Sequence, residues 1–409
     1  MECDVLVVGA GPGGGMAALT AARLGLRTIL LEEHAEVGCP AHCTGKLSDH
    51  AFREFTLPRA LAINEVSAAV LHGPLGAEAR IRRRTVDSYI VDRDAFDQWL
   101  AGEAQKAGAE VLLGARARRA ARDGGWIQVT GGRGDRALSV RTRAIIDAEG
   151  ARPVLPQTLG LHPSRVWVHG LQYQVTGAAV ESEDAPELYF GHRVAPGFFA
   201  WIMPLGGSRA RVGLCIDPRM THEAPVAYLD RFMREHPAAA PKLRRAKVER
   251  RLAGRIPILG AKGPSYAPGL FLVGDAAGQV KATSGGGIYF AMIAGALAAQ
   301  AAAAAVGGDA GAYARYEQRW RRRFGRELWF TAFARRALNR LADPEMDLLL
   351  RIIGHDAGVR RAIEEFGDTA YQSRLLTPLL RQITRAGATR PATYPILVKI
   401  FGSLALSWL

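Results

Sequence analysis

The stretch that decides the fold is residues 3–33, which read CDVLVVGAGPGGGMAALTAARLGLRTILLEE. The apolar run Cys3–Val8 predicts a buried strand, and the alanine-rich segment after it predicts a helix to about Leu24. Arg27–Leu31 predict a second strand. Strand, helix and strand in this order form a βαβ unit, so the sequence predicts an α/β protein with a parallel sheet.

Three glycines follow the first strand with the spacing Gly9-x-Gly11-x-x-Gly14. Glycines at these positions allow a tight turn, a close approach of the backbone to a pyrophosphate and a helix N-terminus aimed at it. Glu32, with Glu33 beside it, stands at the tip of the second strand, where a carboxylate accepts hydrogen bonds from a ribose. We therefore expect a dinucleotide to bind here.

A second nucleotide signature lies far along the chain. Leu270–Val273 predict a strand that ends at Gly274-Asp275, and Gly285-Gly286-Gly287-Ile288 open a long helix. A nicotinamide site normally continues as one βαβ unit, whereas the long ribitol and pyrophosphate of FAD can be held by two separate segments. The two signatures together favour FAD.

The chain between and after these signatures indicates further domains. Short strands separated by Gly and Pro, from about residue 165 to 217, are typical of a sheet-rich domain. The uncharged helix 288–306 is interrupted by Gly295 and Gln300 and lies mid-chain, so we expect a packed core helix rather than a membrane span. We predict a discontinuous FAD-binding domain at 1–75, 88–160 and 255–310, a β-rich substrate domain at 76–87 and 161–254, and a C-terminal helical region at 311–409.

Local patterns fix several smaller elements. A helix over Asp92–Lys106 leads to a strand at Val111–Leu113, and Trp126–Val129 with Leu138–Val140 predict a hairpin. The apolar run Ala144–Ala148 follows this hairpin, and residues 312–340 predict one basic helix.

Composition and charge limit the classes of function. Of 409 residues 48% are hydrophobic, which excludes a disordered chain, and the net charge is +14. Two short windows, 208–255 and 315–340, carry +7 each, so the excess is local. Such windows suit an anionic ligand or an anionic membrane surface better than nucleic acid, although solvated helix faces explain them equally well.

The four cysteines, at positions 3, 39, 43 and 215, form no C-x-x-C pair. A disulfide framework, a zinc ribbon and an iron–sulfur cluster are therefore disfavoured, and we expect no metal. Met1-Glu2-Cys3-Asp4 lead directly into a strand with no basic leader, so we expect a cytoplasmic protein.

Several motifs of the chain resemble those of FAD-dependent oxidoreductases of the p-hydroxybenzoate hydroxylase superfamily, and within it the geranylgeranyl reductase family. The resemblance covers at least residues 3–300. Its motifs are Asp4–Gly14, Val37–Gly45, Val91-Asp92-Arg93, the segment Phe199–Pro204, Gly274–Gly278 and Thr283–Ile288.

The resemblance implies a glutathione-reductase-type Rossmann domain for FAD and a role for each matched position. The cofactor contacts it implies are Gly9, Gly11, Gly14, Glu32, Glu33, Ala41, Thr44, Gly45, Arg93, Ala117, Asp275, Gly287 and Ile288. It implies Cys43, His42 and Trp201 as catalytic residues and Phe199, Trp201 and Met203 as the lining of the substrate cavity. Cys43 also suits a plain apolar filler, and His42 a residue that only packs on the flavin.

The implied reaction is the reduction of prenyl double bonds on a diphosphate, lipid or quinone by hydride transfer from N5 of reduced FAD. Four positions depart from the family pattern. Glu149 replaces the acid of the Asp-Gly element, and Phe199 lacks the phenol hydroxyl, which removes one possible proton donor. Met203 replaces an aromatic residue, and Lys281 replaces a proline. A flavin-dependent monooxygenase or halogenase remains an alternative, as does an FAD-binding structural or regulatory protein.

The implied partners are a prenyl lipid or prenyl diphosphate and an electron donor, which could be ferredoxin, NADPH or a quinol. The tail 391–409 is apolar apart from Lys399, yet its last ten residues are too few to span a membrane. Packing into a groove and a peripheral contact with the inner face of the membrane both suit this tail.

Overall fold

The fold is described from a computed structural model, which covers residues 1–40, 43–162, 166–258, 263–378 and 381–382. The chain divides into two compact units. The first contains residues 1–41, 93–166 and 257–329, and the second contains 42–92, 167–256 and 330–409. This division groups residues 42–75 with the second unit, and the domain bounds drawn from the sequence stay a prediction.

The elements follow in chain order. The strands are β1 (Glu2–Val8), β2 (Thr28–Leu31), β3 (Lys46–Ser48), β4 (Ala62–Val66), β5 (Ala68–His72), β6 (Glu78–Arg82), β7 (Ser88–Val91), β8 (Glu110–Leu112), β9 (Ala115–Asp123), β10 (Trp126–Arg133), β11 (Arg136–Asp147), β12 (Val166–Thr176), β13 (Glu187–Tyr189), β14 (Ala200–Gly206), β15 (Arg209–Ile216), β16 (Lys247–Ile258), β17 (Tyr266–Ala267) and β18 (Leu270–Leu272). The α-helices are α1 (Pro12–Arg23), α2 (Asp49–Glu54), α3 (Arg93–Lys106), α4 (Leu155–Thr158), α5 (Pro225–Glu235), α6 (Ala240–Leu243), α7 (Ile288–Val306), α8 (Ala312–Trp320), α9 (Arg326–Leu338), α10 (Asp343–His355) and α11 (Ala357–Phe366).

The first unit is built on a sheet whose strands run in the order β17-β18-β11-β1-β2-β8, with β10 and β9 continuing from β11. β1 pairs in parallel with both β2 and β11, which confirms the predicted βαβ unit. The predicted hairpin of 126–129 with 138–140 is confirmed, because β10 pairs antiparallel with β11, and β11 continues through the apolar run to Asp147. Its first part pairs with β10 and its second part with β1, so one strand serves both the hairpin and the parallel sheet.

Helix α7 is a core helix of the first unit. It is long and apolar enough to cross a membrane by length and composition, but most of it is buried. A Cβ at Gly295 would lie 2.2 Å from the carbonyl oxygen of Gly13 in α1, so glycine allows the two backbones to pack closely. This contact supports the expectation of a packed core helix.

The basic segment 312–340 is not one regular helix. A π-helical stretch, Arg321–Gly325, separates α8 from α9. Ala312, Tyr316 and Trp320 are buried at intervals of four residues in α8, and the wider turn of the π-helical stretch continues this interval to Phe324 and Leu328. The exposed positions between them are mostly arginine.

The second unit contains a seven-stranded sheet in the order β16-β12-β15-β14-β13-β5-β6 and a small sheet in the order β3-β7-β4. On β14 and β15 the even-numbered residues pack with α5 in an apolar core that includes Ile202, Val212 and Phe232. Alternation along a strand places the odd-numbered residues of β14 and β15, with the even-numbered ones of β12, on the other face. Although β14 is buried almost throughout, that second face carries polar side chains.

Candidate active site

The glycine loop of the first unit has the geometry that a phosphate-binding turn needs. Gly9 has φ +96°, a conformation that favours glycine, and a Cβ at Gly14 would lie 1.8 Å from the carbonyl oxygen of Gly9. A Cβ at Gly11 would meet no heavy atom within 4 Å. The protein itself therefore requires Gly9 and Gly14, whereas the space at Gly11 is open for a ligand to approach the backbone at the start of α1.

Glu32 follows β2 and is only 8% exposed. Its Oε2 accepts a hydrogen bond from the amide of Ala10 (3.0 Å), and its Oε1 accepts one from the amide of His34 (2.9 Å). The ring Nδ1 of His34 also lies 2.6 Å from Oε1. The carboxylate thus joins the glycine loop to the end of β2, and Oε2 keeps a lone pair for a ribose hydroxyl. Glu33 is half exposed and contacts Arg116 at 3.3 Å, so its environment is that of a surface ion pair.

The second nucleotide segment lies in the same unit. Gly274–Ala277 form one 3₁₀ turn that contains Asp275, and Gly287 is the residue before Ile288, where α7 begins. A Cβ at Gly287 would lie 3.4 Å from Oδ1 of Asp275 and 3.1 Å from Cγ2 of Val280, so the turn and the start of α7 are close. Amide groups at the N-terminus of this helix suit the negative charge that collects on a reduced flavin.

Two further predicted cofactor residues have structural surroundings of their own. Ala117 is buried on β9 and pairs with Gly131 across a β-bulge. Arg93 begins α3 and forms an ion pair with Asp97, with Nη2 2.7 Å from Oδ2. Burial raises the pKa of Asp97 and the Arg93 charge opposes that rise.

Glu149, at the position of the family's Asp-Gly element, acts as a local cap. Its Oε2 accepts hydrogen bonds from the amides of Val154 (2.8 Å) and Leu155 (3.0 Å) at the start of α4. Its own amide donates to Oδ1 of the buried Asp147. Burial raises the pKa of Glu149, while the amide hydrogen bonds oppose that rise.

In the second unit, the predicted cysteine loop is fixed by hydrogen bonds. The amide of Gly45 donates to Sγ of Cys43 (3.4 Å), and the carbonyl of Gly45 accepts from the amide of Val91 (2.9 Å). Ala41 and His42 lie outside the described residues, so their predicted roles stay predictions. Burial raises the pKa of Cys3 to about 11 and that of Cys215 to about 12, so neither of these buried thiols suits proton transfer near neutral pH.

The predicted cavity residues lie on one strand. Phe199 precedes β14, and Trp201 and Met203 follow at intervals of two, which places them on the face opposite the apolar core. Phe199 packs edge-on against Trp201, with ring centroids 5.9 Å apart, and stacks on Phe198 at 4.6 Å. All three predicted residues are buried, so this face offers an apolar, aromatic surface.

Two residues that the sequence reasoning missed join these features. Nε1 of Trp201 donates to Oε1 of Gln172 (3.1 Å), and Nε2 of Gln172 donates to the carbonyl of Cys43 (3.4 Å). Nη1 of Arg211 donates to the carbonyl of Thr44 (2.7 Å). A signal existed for Arg211, because it is a charged residue within the otherwise apolar strand ARVGLCI. Gln172, in a strand of mixed polarity, gave no comparable signal.

The described residues fit FAD. The open backbone at Gly11, the carboxylate of Glu32 and the helix N-terminus at Gly287 form a set of groups for its pyrophosphate, ribose and isoalloxazine. Among the same described residues no group of three or more His, Cys, Asp and Glu side chains is arranged to hold a metal ion.

Comparisons with known proteins agree with this set of groups. A family of FAD dependent oxidoreductases matches residues 4–155, and the geranylgeranyl reductase catalytic domain matches residues 167–252. A digeranylgeranylglycerophospholipid reductase of Methanothermobacter thermautotrophicus is 36% identical over 86% of this chain and 91% of its own. One of Methanocaldococcus jannaschii is 32% identical over 86% of this chain and 90% of its own.

Solved structures show the same fold. A geranylgeranyl bacteriochlorophyll reductase-like protein from Thermoplasma acidophilum superposes with a TM-score of 0.84 at 27% identity, covering 97% of this chain and 99% of its own. A flavin-dependent brominase superposes with a TM-score of 0.70 at 17% identity, covering 95% and 100%, and shares the fold alone. The two-domain FAD-binding fold predicted from the sequence is confirmed, the cofactor is FAD, and the chain belongs to the geranylgeranyl reductase family of FAD-dependent oxidoreductases.

Proposed function

We propose that this enzyme saturates the C=C bonds of geranylgeranyl chains on a glycerophospholipid. The curated relatives are named for that substrate, and the family match over residues 167–252 covers the strands that carry Gln172, Trp201 and Arg211. The observation that carries the proposal is the hydrogen-bonded connection from Trp201 through Gln172 to the backbone carbonyl of Cys43, because it ties an aromatic surface of the sheet to the loop that carries the Cys43 thiol.

Each group of residues has a task in this reaction. Reduced FAD, when bound, supplies a hydride to one carbon of the double bond. The glycine loop, Glu32 and the start of α7 bind and orient the cofactor. Cys43 holds a proton at Sγ for the other carbon of the double bond. The buried aromatic face at Trp201 excludes water from the prenyl chain of the substrate. The alkene thus gains one hydride and one proton.

The test uses enzyme that dithionite has reduced without oxygen. On incubation with digeranylgeranylglycerophospholipid, mass spectrometry should show a gain of two hydrogen atoms for each reduced bond. The same enzyme with geranylgeranyl diphosphate and a prenylated quinone tests the other predicted substrates. No mass gain with any of the three would contradict the proposal. In a separate assay in air, oxygen uptake stimulated by the substrate would indicate a monooxygenase or halogenase instead.

The electron donor is the next step of the proposal. We expect ferredoxin, NADPH or a quinol to reduce the bound FAD in the cell. Anaerobic mixing of the oxidised holoenzyme with each donor, followed at the visible absorbance of the flavin, identifies which of them reduces it at a rate that supports turnover.

We also expect the protein to act as a peripheral protein on the cytoplasmic face of the membrane. The support is the exposed surface between Arg315 and Trp329, where no exposed residue is acidic and Trp329 is 40% exposed. Anionic vesicles should bind the wild type more strongly than zwitterionic ones, and Arg322→Glu with Arg326→Glu should weaken that binding. Deletion of residues 391–409 tests the predicted tail anchor separately. The exposed residues are Arg315, Gln318, Arg319, Arg321, Arg322, Arg323, Arg326 and Trp329.

A further inference from the structure

The loop Cys43–Gly45 is held by a buried cation. Arg211 is 5% exposed on β15, and its Nη1 donates to the carbonyl of Thr44 at 2.7 Å and lies 3.4 Å from the carbonyl oxygen of Val91. Gly45 has φ +76°, and a Cβ there would lie 2.3 Å from the Val91 oxygen and 2.8 Å from Nη1. The close approach of the guanidinium to the loop therefore depends on glycine at position 45.

The neighbouring carbonyl of the loop is held by a buried amide. Gln172 is also 5% exposed, and its side chain bridges the indole of Trp201 and the carbonyl of Cys43. Because an indole N–H can only donate and a carbonyl can only accept, the amide oxygen must face Trp201 and the NH₂ group must face Cys43. The orientation of this amide is thus set by its two partners.

Gln172, Gly213 and Trp201 lie side by side on the neighbouring strands β12, β15 and β14, and the glycine leaves room for this bridge. Gly213 on β15 pairs with Gln172 on β12 and with Trp201 on β14. A Cβ at Gly213 would lie 2.7 Å from the indole Cζ2 and 2.9 Å from Cβ of Gln172. The space left by Gly213 allows Trp201 and Gln172 to approach each other over the strand between them.

Buried polar groups of this kind are costly, because each loses its hydration on folding. Apolar side chains would pack the face of a buried sheet at less cost, so stability alone does not account for Arg211 and Gln172. Both polar groups are aimed at consecutive carbonyls of one short loop, which is the loop that carries the proposed proton donor.

We propose that Gln172 and Arg211 are positioning residues, which hold Cys43 in a fixed place relative to Trp201 so that its proton meets a prenyl double bond. This inference rests on the proposed function for its reductase readout. The position of Cys43 itself is a property of the loop and has a readout that does not need turnover.

The experiment compares substitutions in the FAD-bound enzyme. Gln172→Leu removes both hydrogen bonds of the bridge. Gln172→Glu is nearly isosteric, and its carboxyl can donate to the Cys43 carbonyl only when it is protonated. Gln174→Leu is the matched control, because Gln174 lies two residues along the same strand and donates to Glu249 instead. Arg211→Lys and Arg211→Met test the second anchor, with lysine as the conservative variant.

Two measurements are made on each variant. The first is the rate at which iodoacetamide alkylates Cys43, read from the mass of its peptide. The second is the dependence of kcat and KM on pH. We expect Gln172→Leu to lower kcat by about tenfold or more while KM changes little, because misplacing a catalytic group costs rate rather than binding.

The pH profile separates positioning from plain stability. The ratio of kcat between Gln172→Glu and wild type should be near one at the acidic end and fall as its carboxyl ionises, whereas Gln172→Leu should show no such change. Arg211→Lys should retain more activity than Arg211→Met. The Cys43 alkylation rate should change several-fold in Gln172→Leu and Arg211→Met but not in Gln174→Leu.

Wild-type kcat and a wild-type alkylation rate in Gln172→Leu, with FAD content and Tm unchanged, would overturn the inference. If the wild type reduces no prenyl substrate but the alkylation rates differ as expected, the positioning of Cys43 is supported and the proposed function fails.

Discussion

The glycine loop of the first unit is held in shape by its own backbone, whereas the Cys43–Gly45 loop of the second unit is held by side chains from separate strands. At Gly14 the nearest atom to an added Cβ is a backbone oxygen 1.8 Å away. At Cys43 and Thr44 the anchors are the side chains of Gln172 and Arg211. A loop packed against backbone atoms loses its conformation when a substitution adds atoms. A loop held by side-chain hydrogen bonds loses its conformation when a substitution removes the polar groups.

The largest effect is expected where the backbone is most crowded. Gly14→Ala places a methyl group against the carbonyl of Gly9, and because neither backbone segment can move freely, we expect a loss of stability of about 3 kcal/mol or more. The purified protein should contain almost no FAD and should have a lower Tm. The flavin absorbance relative to protein, and a thermal melt, measure both.

Gly11→Ala is the matched control for that prediction. Its Cβ meets no heavy atom within 4 Å and its φ is −66°, so alanine should leave the apoprotein unchanged or stabilise it by up to about 1 kcal/mol. The affinity for FAD should nevertheless fall, because the methyl group occupies the open approach to the pyrophosphate. Wild-type FAD affinity in Gly11→Ala would contradict the assignment of this loop to the cofactor.

In the Cys43–Gly45 loop we expect a substitution to lower activity without loss of FAD or of stability. Cys43→Ser should retain FAD and Tm, yet lower kcat by about 10²–10⁴-fold, because a hydroxyl is a far weaker acid than a thiol. Cys215→Ala, which removes a buried thiol on β15 of the same unit, should leave kcat unchanged. Equal kcat values for Cys43→Ser and the wild type would remove Cys43 from the proposed mechanism.

These two loops also explain how far the sequence alone could predict the molecule. The motif Gly9–Gly14 is contiguous and each glycine has a steric reason, so the βαβ unit and the FAD site followed from local spacing. The full length of β11 did not follow from the sequence, because its change of partner, from β10 to β1, leaves no mark in the local pattern. Gln172 was missed because its partners are 129 and 29 residues away, and only the folded sheet brings them together.

A smaller effect tests which of two adjacent carboxylates serves the cofactor. Both oxygens of Glu32 accept hydrogen bonds from backbone amides. In Glu32→Gln the side-chain NH₂ group would face one of these N–H donors, and that hydrogen bond would be lost. We expect the free energy of FAD binding to become less favourable by about 1.5–3 kcal/mol. Isothermal titration calorimetry of the apoprotein with FAD measures this change.

Glu33→Gln is the control, since Glu33 is half exposed and its pair with Arg116 is a surface contact. It should change FAD binding by less than about 1 kcal/mol. A larger loss in Glu33→Gln than in Glu32→Gln would show that the ribose is held by the second carboxylate.

The smallest effect is a dependence of folding stability on pH, and it arises at His236 in the second unit. Burial, aided by the nearby His72, lowers the pKa of His236 to about 4. Its Nδ1 accepts hydrogen bonds from the amides of Ala238 and Ala239 (3.3 Å each), which requires an unprotonated nitrogen. Between pH 6.5 and 4 the unfolded chain therefore binds more protons than the folded one, and stability falls as the pH falls.

We expect the wild type to lose about 1–2 kcal/mol more than His236→Asn across this range, a figure reduced for the partial exposure of the ring. Asparagine keeps an acceptor for the two amides but does not titrate. Urea unfolding at pH 6.5 and 4.5 measures the difference. Glu187 does not titrate in this range, because hydrogen bonds from His72, Lys242 and Tyr189 outweigh its burial and lower its pKa to about 2. Equal losses in the two proteins would mean that His236 does not couple the second unit to pH, and that its acid sensitivity arises from other groups.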